Sequence, residues 1–128
     1  MKKLSVFVMV SLAAILVLSA CSVVGDLTQV KNTGDDFMAA LRDGEALTSW
    51  DLLSPDLQAE IGDQAAWVDF ATPRNFSEWK FTNTQFENDY GQLDGEATLG
   101  IETYTIQLIL YKISDAWKIA GIDIVFKE

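Results

Sequence analysis

Side chains able to carry reaction chemistry are scarce in this sequence, and one class is missing. The 128 residues contain no histidine and a single cysteine, Cys21. Without His there is no side chain that titrates unperturbed near neutral pH, and no imidazole metal ligand. Ser-His-Asp and Cys-His catalysis are excluded, as are zinc sites built on His or on several Cys. Carboxylate and phenol chemistry remains. Proton abstraction in an apolar pocket needs a carboxylate base beside acidic donors. Tyr104 is the phenol that alternation puts on an apolar strand face, with Ile106, Leu108 and Leu110. Glu102 shares its parity but lies at a turn, and Asp123, between Ile122 and Ile124, should face away from them. Trp50, Trp67, Phe70, Trp79 and Trp117 could line a pocket with Tyr104, although core packing is the default use of such residues. Glu87, Asn88, Asp89, Asp94 and Glu96 cluster without calcium-loop spacing, so a solvated acidic face is expected there. No cofactor and no metal are expected.

The elements that must position these residues fall into two halves. Leu27, Val30, Gly34, Phe37 and Leu41 form one stripe of an amphipathic helix that stops at Asp43-Gly44. Gly34 on that stripe would permit close backbone approach. A second short helix carries Ala46, Trp50 and Leu53. Ser54-Pro55 reads as an N-cap with proline at the first helical position of a third, which holds Leu57 and Ile61 and ends at Gly62. Asp63 caps a fourth with Trp67 and Phe70, and Pro73 ends the helical half.

From Phe76 the period changes to alternation. Strand one holds Trp79, Phe81 and Phe86. Strand two places Leu93, Gly95, Ala97 and Leu99 on one face. Strand three carries Tyr104 to Leu110, and strand four Trp117, Ile119, Ile122 and Ile124. Turns are expected at Asp89-Tyr90-Gly91, Gly100-Ile101-Glu102 and Ser114-Asp115. The odd separations Phe81 to Phe86 and Ile119 to Ile122 each exchange the two faces, so each predicts a bulge, the second at Gly121. Bulges bend sheets. The expected class is α+β: N-terminal helices packed on the concave face of a curved, antiparallel, four-stranded meander.

The N-terminus reads differently. Lys2-Lys3, an apolar run from Leu4 to Leu18 broken only by Ser5 and Ser11, and Leu18-Ser19-Ala20-Cys21 describe a secretory signal. The last four residues resemble the lipobox of bacterial lipoprotein precursors. That resemblance implies cleavage before Cys21 and a diacylglycerol on its sulfur, which would account for a lone Cys in an exported chain. The competing reading, an uncleaved membrane helix over Val6 to Val24, is weakened by Ser19, Ser22 and the placement of Cys21. The expected organisation is a signal over 1–20, a lipidated tether over 21–26 and one domain over 27–128, held on the exported side of the cell membrane or outer membrane. Lys2 and Lys3 leave with the signal, so 7 basic residues stand against 19 acidic ones, a net charge of −12. A surface that acidic repels phosphate backbones, so no nucleic acid is expected as a partner.

The domain resembles the NTF2-like (cystatin-like, cone-shaped) superfamily, and in particular its small bacterial lipoproteins of unknown function. The likeness is carried by Phe37-Met38-Ala39-Ala40-Leu41-Arg42-Asp43-Gly44, by Trp50-Asp51-Leu52-Leu53-Ser54-Pro55-Asp56-Leu57-Gln58 and by Asp115-Ala116-Trp117-Lys118-Ile119-Ala120-Gly121. These motifs are structural. They imply a cone with a pocket between helices and sheet, and they transfer no catalytic set. Some relatives are ketosteroid isomerases or polyketide cyclases, the latter commonly with a His–Asp pair that this chain lacks; others bind ligands or partners without catalysis. The expected function is a non-catalytic, envelope-anchored binding module for a small apolar ligand or a protein partner. The alternative is an isomerase- or cyclase-type enzyme using Tyr104 and a pocket carboxylate. A homodimer through the outer sheet face, at Ile109 and Tyr111, is a further expectation.

Overall fold

The computed structural model describes residues 25–128. The signal expected over 1–20 and the lipidation expected at Cys21 lie outside the described residues. Helix α1 spans 25–42, followed by α2 (Ala46–Asp51), α3 (Pro55–Ile61), α4 (Gln64–Ala71) and a 3-10 turn at Thr72–Arg74. Four strands then run as β1 (Glu78–Glu87), β2 (Tyr90–Leu99), β3 (Glu102–Ile113) and β4 (Ala116–Phe126). They form one antiparallel sheet in the order β1-β2-β3-β4. This is the α+β architecture that the change of period predicts. Among the described residues, no helix is long and apolar enough to cross a membrane.

Local chemistry sets the helix ends. The Ser54 hydroxyl accepts from the Leu57 amide at 3.1 Å, with Pro55 opening α3. The Asp63 carboxylate accepts from the Ala66 amide at 2.8 Å at the start of α4. One helical expectation changes. Leu53 lies outside α2 and bridges Ile119 in parallel. The Ile119 amide donates to the Leu52 carbonyl at 2.8 Å, and the Ser54 amide to the Ile119 carbonyl at 2.7 Å. The free edge of β4 thus draws the chain out of the helix and is partly capped by it. α1 begins at 25, inside the expected tether, where Asp26 finds a partner in Lys112.

Both predicted bulges are present. The β1–β2 register shifts between Phe81 and Asn83, leaving Thr82 extra. The β3–β4 register pairs Ile109 with Gly121 and Leu110 with Ile119, so Ala120, beside Gly121, is the extra residue. Two turns are tighter than expected: Tyr90 and Gly91 already belong to β2 and Glu102 to β3. The reversals need only Asn88-Asp89 and Gly100-Ile101. Asn88 and Gly100 take left-handed backbone at these two turns, and Ser114 and Asp115 both do at the β3–β4 turn, as a two-residue type I′ hairpin requires.

The core sits between α1 and the sheet. Val30, Phe37, Met38, Leu93, Leu108, Leu110 and Ile119 have no exposed surface. Gly34 makes this contact possible: a Cβ there would lie 2.3 Å from Leu93 Cδ1. Gly95 does the same inside the sheet, where a Cβ would lie 2.1 Å from the Lys80 carbonyl oxygen, next to the Thr82 bulge. α1 runs along the sheet from one end to the other. Near its start Asp26 meets Lys112 and Val30 covers Gly91; near its end Arg42 lies over the Trp79 ring.

Candidate functional site

The end of the sheet where α1 begins is filled. Val30, Gly91 and Trp117 pack together there, with Phe86 edge-on to Trp117 at 5.8 Å. The opposite end is open. It holds a cleft of about 380 Å³ lined by Pro73, Arg74, Phe76, Leu99, Tyr104 and Ile124. The 3-10 turn places Pro73 and Arg74, and the Ser77 amide, donating to the Thr98 carbonyl at 3.0 Å, fixes the entry into β1. Leu99, Tyr104 and Ile124 come from the ends of β2, β3 and β4 that meet at this pole.

Tyr104 is one wall of the cleft. Its ring meets Phe76 and Phe126 edge-on, with centroids 5.6 and 5.5 Å away. Its hydroxyl donates to Glu102 Oε2 at 2.7 Å. This pairing is possible because Glu102 is the first residue of β3, two positions before Tyr104, so both side chains lean to the same face. The hydrogen bond to Glu102 pushes the phenol above its ordinary range. Loss of solvent and the Glu102 charge add to this, and the Arg74 cation opposes it. Arg74 is itself committed: it donates from Nη1 to the Phe70 carbonyl at 2.7 Å, and its guanidinium lies 3.8 Å above the Phe70 ring.

The six aromatic residues singled out by sequence do not share one pocket. Tyr104 lines this cleft, and Phe70 borders it through Arg74. Trp67 is buried, with its indole N–H donating to Ser49 Oγ at 2.9 Å and to the Ala46 carbonyl at 3.1 Å, and its ring against Phe37 and Phe70. Trp50 belongs to the same core. Trp79 is half-buried, donates to Asp35 Oδ1 at 3.0 Å and carries Arg42 over its ring. Trp117 lies at the filled end. Sequence pattern does not single out Arg74 and Phe76, because only the turn at Pro73 brings them to Tyr104. Asp123 faces outward, as its parity requires, beside Asp94, Thr105 and Gln107.

Among the described residues the buried polar side chains are Ser49 and Ser54, and no Asp or Glu is buried. Nor does any group of three or more Asp, Glu or Cys there stand in metal-binding proximity. The outer face is a polar lattice. Asp94 accepts from Asn83 at 3.2 Å and Gln107 at 3.0 Å, and from Gln92, which in turn accepts from the Tyr90 hydroxyl at 2.7 Å.

The chain superposes on the crystal structure of a protein from Silicibacter pomeroyi DSS-3 described as NTF-2 like and of unknown function. The TM-score is 0.65, covering 82% of this chain and 98% of that one at 10% identity. The fold is NTF2-like. A second NTF2-like protein of unknown function, from Shewanella baltica OS155, matches with a TM-score of 0.63 over 82% of this chain and 96% of that one, at 9% identity. A DUF4783 family protein from Bacteroides uniformis ATCC 8492 matches with a TM-score of 0.58 over 73% and 96%, at 10% identity. At such identities the NTF2-like likeness is one of backbone alone. No family model matches the sequence, and no curated protein is significantly similar to it.

Proposed function

We propose that this chain is an envelope-anchored, non-catalytic binding module, held to a bilayer by acyl chains on Cys21, whose cleft at Tyr104 takes a small, largely apolar ligand. The observation that carries the binding half is the cleft's make-up. Pro73, Phe76, Leu99, Ile124 and the Tyr104 ring give it apolar walls. Its polar groups, the Tyr104 hydroxyl and the Arg74 guanidinium, are already partnered, by Glu102 and by Phe70. Apolar walls with a few fixed polar groups suit ligand binding. A general base for proton abstraction would need a carboxylate drawn into the cleft, and the cleft lining has none. The anchoring half rests on Lys2-Lys3, the apolar run and Leu18-Ser19-Ala20-Cys21. Each buried CH₂ of an acyl chain contributes about 0.8 kcal/mol, so two chains hold firmly.

Mass spectrometry of the protein purified from its own membranes tests both halves. The expected result is a chain starting at an acylated Cys21, with a small apolar molecule carried along. Retention of residues 1–20 with a free thiol would overturn the anchor. One observation favours a second reading, an isomerase- or cyclase-type enzyme: the Tyr104 hydroxyl and the Glu102 carboxylate share a hydrogen bond at 2.7 Å. A turnover lost in both Tyr104→Phe and Glu102→Gln would establish that reading in place of the first.

A further inference from the structure

We infer that the ligand of the Tyr104 cleft is a small apolar molecule ending in a carboxylate, and that the free edge of Arg74 holds that carboxylate. This deepens the binding reading of the cleft and rests on it, but it does not depend on the anchor. The chain has two arginines, Arg42 and Arg74, and each lies over an aromatic ring. Their surroundings differ. Arg42 has a counter-ion: its Nε donates to Asp43 Oδ1 at 2.9 Å and its Nη2 to Oδ2 at 3.3 Å. Arg74 is half-buried and lines the cleft. Among the described residues it has no carboxylate within ion-pair distance. The Phe70 contacts use only part of the guanidinium, namely Nη1 and one face. Nε and Nη2 remain, the same edge that Arg42 gives to Asp43. Two parallel N–H groups on a planar cation match the two oxygens of a carboxylate.

Desolvation decides which ligand fits. A wholly apolar molecule filling the cleft would strip water from that edge and put nothing in its place. Covering a charge in this way is costly unless a counter-charge comes with it. The protein supplies none. The cleft lining has no Asp or Glu, and Glu102 is exposed and accepts from the Tyr104 hydroxyl. The ligand must therefore bring the negative charge. One cation balances one such charge, which suits a carboxylate better than a phosphate carrying about −1.5 to −2. The acidic surface repels anions in general, so the charge alone does not bind; the apolar body must contribute. A cleft of about 380 Å³ is near the small end of ligand pockets. That body is correspondingly small, resting on Phe76, Leu99, Ile124 and the Tyr104 ring.

The test uses the full chain purified from its own cells, in phosphatidylcholine nanodiscs, with empty discs as the blank. It is dialysed to equilibrium against 4-butylbenzoate or against the neutral 4-butylbenzamide. The native chain is expected to hold the benzoate at least about ten-fold more tightly than the amide. Arg74→Met should abolish that preference and Arg74→Lys should keep most of it. Leu99→Trp, which fills the cleft, should weaken both probes. The native preference is read without any variant, so it decides the matter even if Arg74→Met does not fold. Equal binding of the two probes by the native chain, or an undiminished preference in Arg74→Met, would overturn the carboxylate and leave an apolar cleft. A native chain that holds neither probe, or undiminished binding in Leu99→Trp, would overturn the cleft reading itself, and the carboxylate with it.

Discussion

The two poles of the cone are built from the same four strands, yet one is packed shut and the other is a cleft. At the filled pole α1 lies directly on the sheet, so Val30, Gly91, Phe86 and Trp117 close the space between them, and the Asp26–Lys112 pair pins the helix start. At the open pole α1 has ended at residue 42, and the wall is made by a 3-10 turn and Phe76. The cleft is the space between the Pro73–Phe76 segment and the ends of β2, β3 and β4. The difference teaches that the pole closed by packing between α1 and the sheet holds the fold, while the pole walled by the 3-10 turn and Phe76 keeps an open cleft.

The contrast can be broken most severely at the filled pole. Trp117→Ala removes the ring on which Phe86 and Val30 close, and should cost about 3–5 kcal/mol, read as a lower denaturation midpoint in urea with an unchanged slope. Next comes the bend that lets one sheet serve both poles. Gly95→Ala drives a Cβ against backbone rather than a movable side chain, and a destabilisation of about 1–3 kcal/mol is expected. An unchanged midpoint there would show that the sheet can flatten without loss.

Smaller effects sharpen the comparison. The hydrogen bond from Lys112 to Asp26 raises the lysine above its ordinary value. Its stabilisation is therefore fully present below the ordinary lysine range and lost as pH rises through the raised value. Lys112→Met should lower the melting temperature at neutral pH, and the gap to the native chain should close in strong alkali. At the open pole, Tyr104→Phe keeps the ring contacts with Phe76 and Phe126, so thermal stability should barely move, while under the proposed function binding of a small apolar ligand at the cleft should weaken. Smallest of all, Glu102→Gln should leave the fold intact and bring the Tyr104 phenol back down toward its ordinary range, seen as a shift of its carbon resonance with pH.

Much of this is legible in the sequence. The stripe from Leu27 to Leu41, the caps at Ser54 and Asp63, the alternation after Phe76 and the two parity breaks are local signals, and each has a local cause: helix period, orphan amides, pleat, one extra residue. They determine the order of elements, which faces are apolar, and that the sheet bends. Tyr104 could be placed on the inner face for the same reason. Leu53 could not be placed correctly, because what pulls it from helix geometry is the edge of β4, which lies 66 residues away in sequence at Ile119.

The site itself was only half visible. Six aromatic residues have the composition of a pocket, but composition does not say which rings meet each other and which meet a void. Trp67 finds Ser49 and Ala46, Trp79 finds Asp35, and Trp117 fills the pole opposite the cleft. Arg74 reaches the neighbourhood of Tyr104 only because the chain turns at Pro73, and Glu102 reaches its hydroxyl because the β2–β3 turn is one residue tighter than Gly100-Ile101-Glu102 suggests. Sequence alone thus determined the α+β order, the curvature, the acidic surface and the absence of imidazole chemistry, since these follow from residue type and short-range spacing. Tertiary structure decided which end is open and what lines it, since cavities are set by where packed elements stop, and that depends on contacts far apart in the chain.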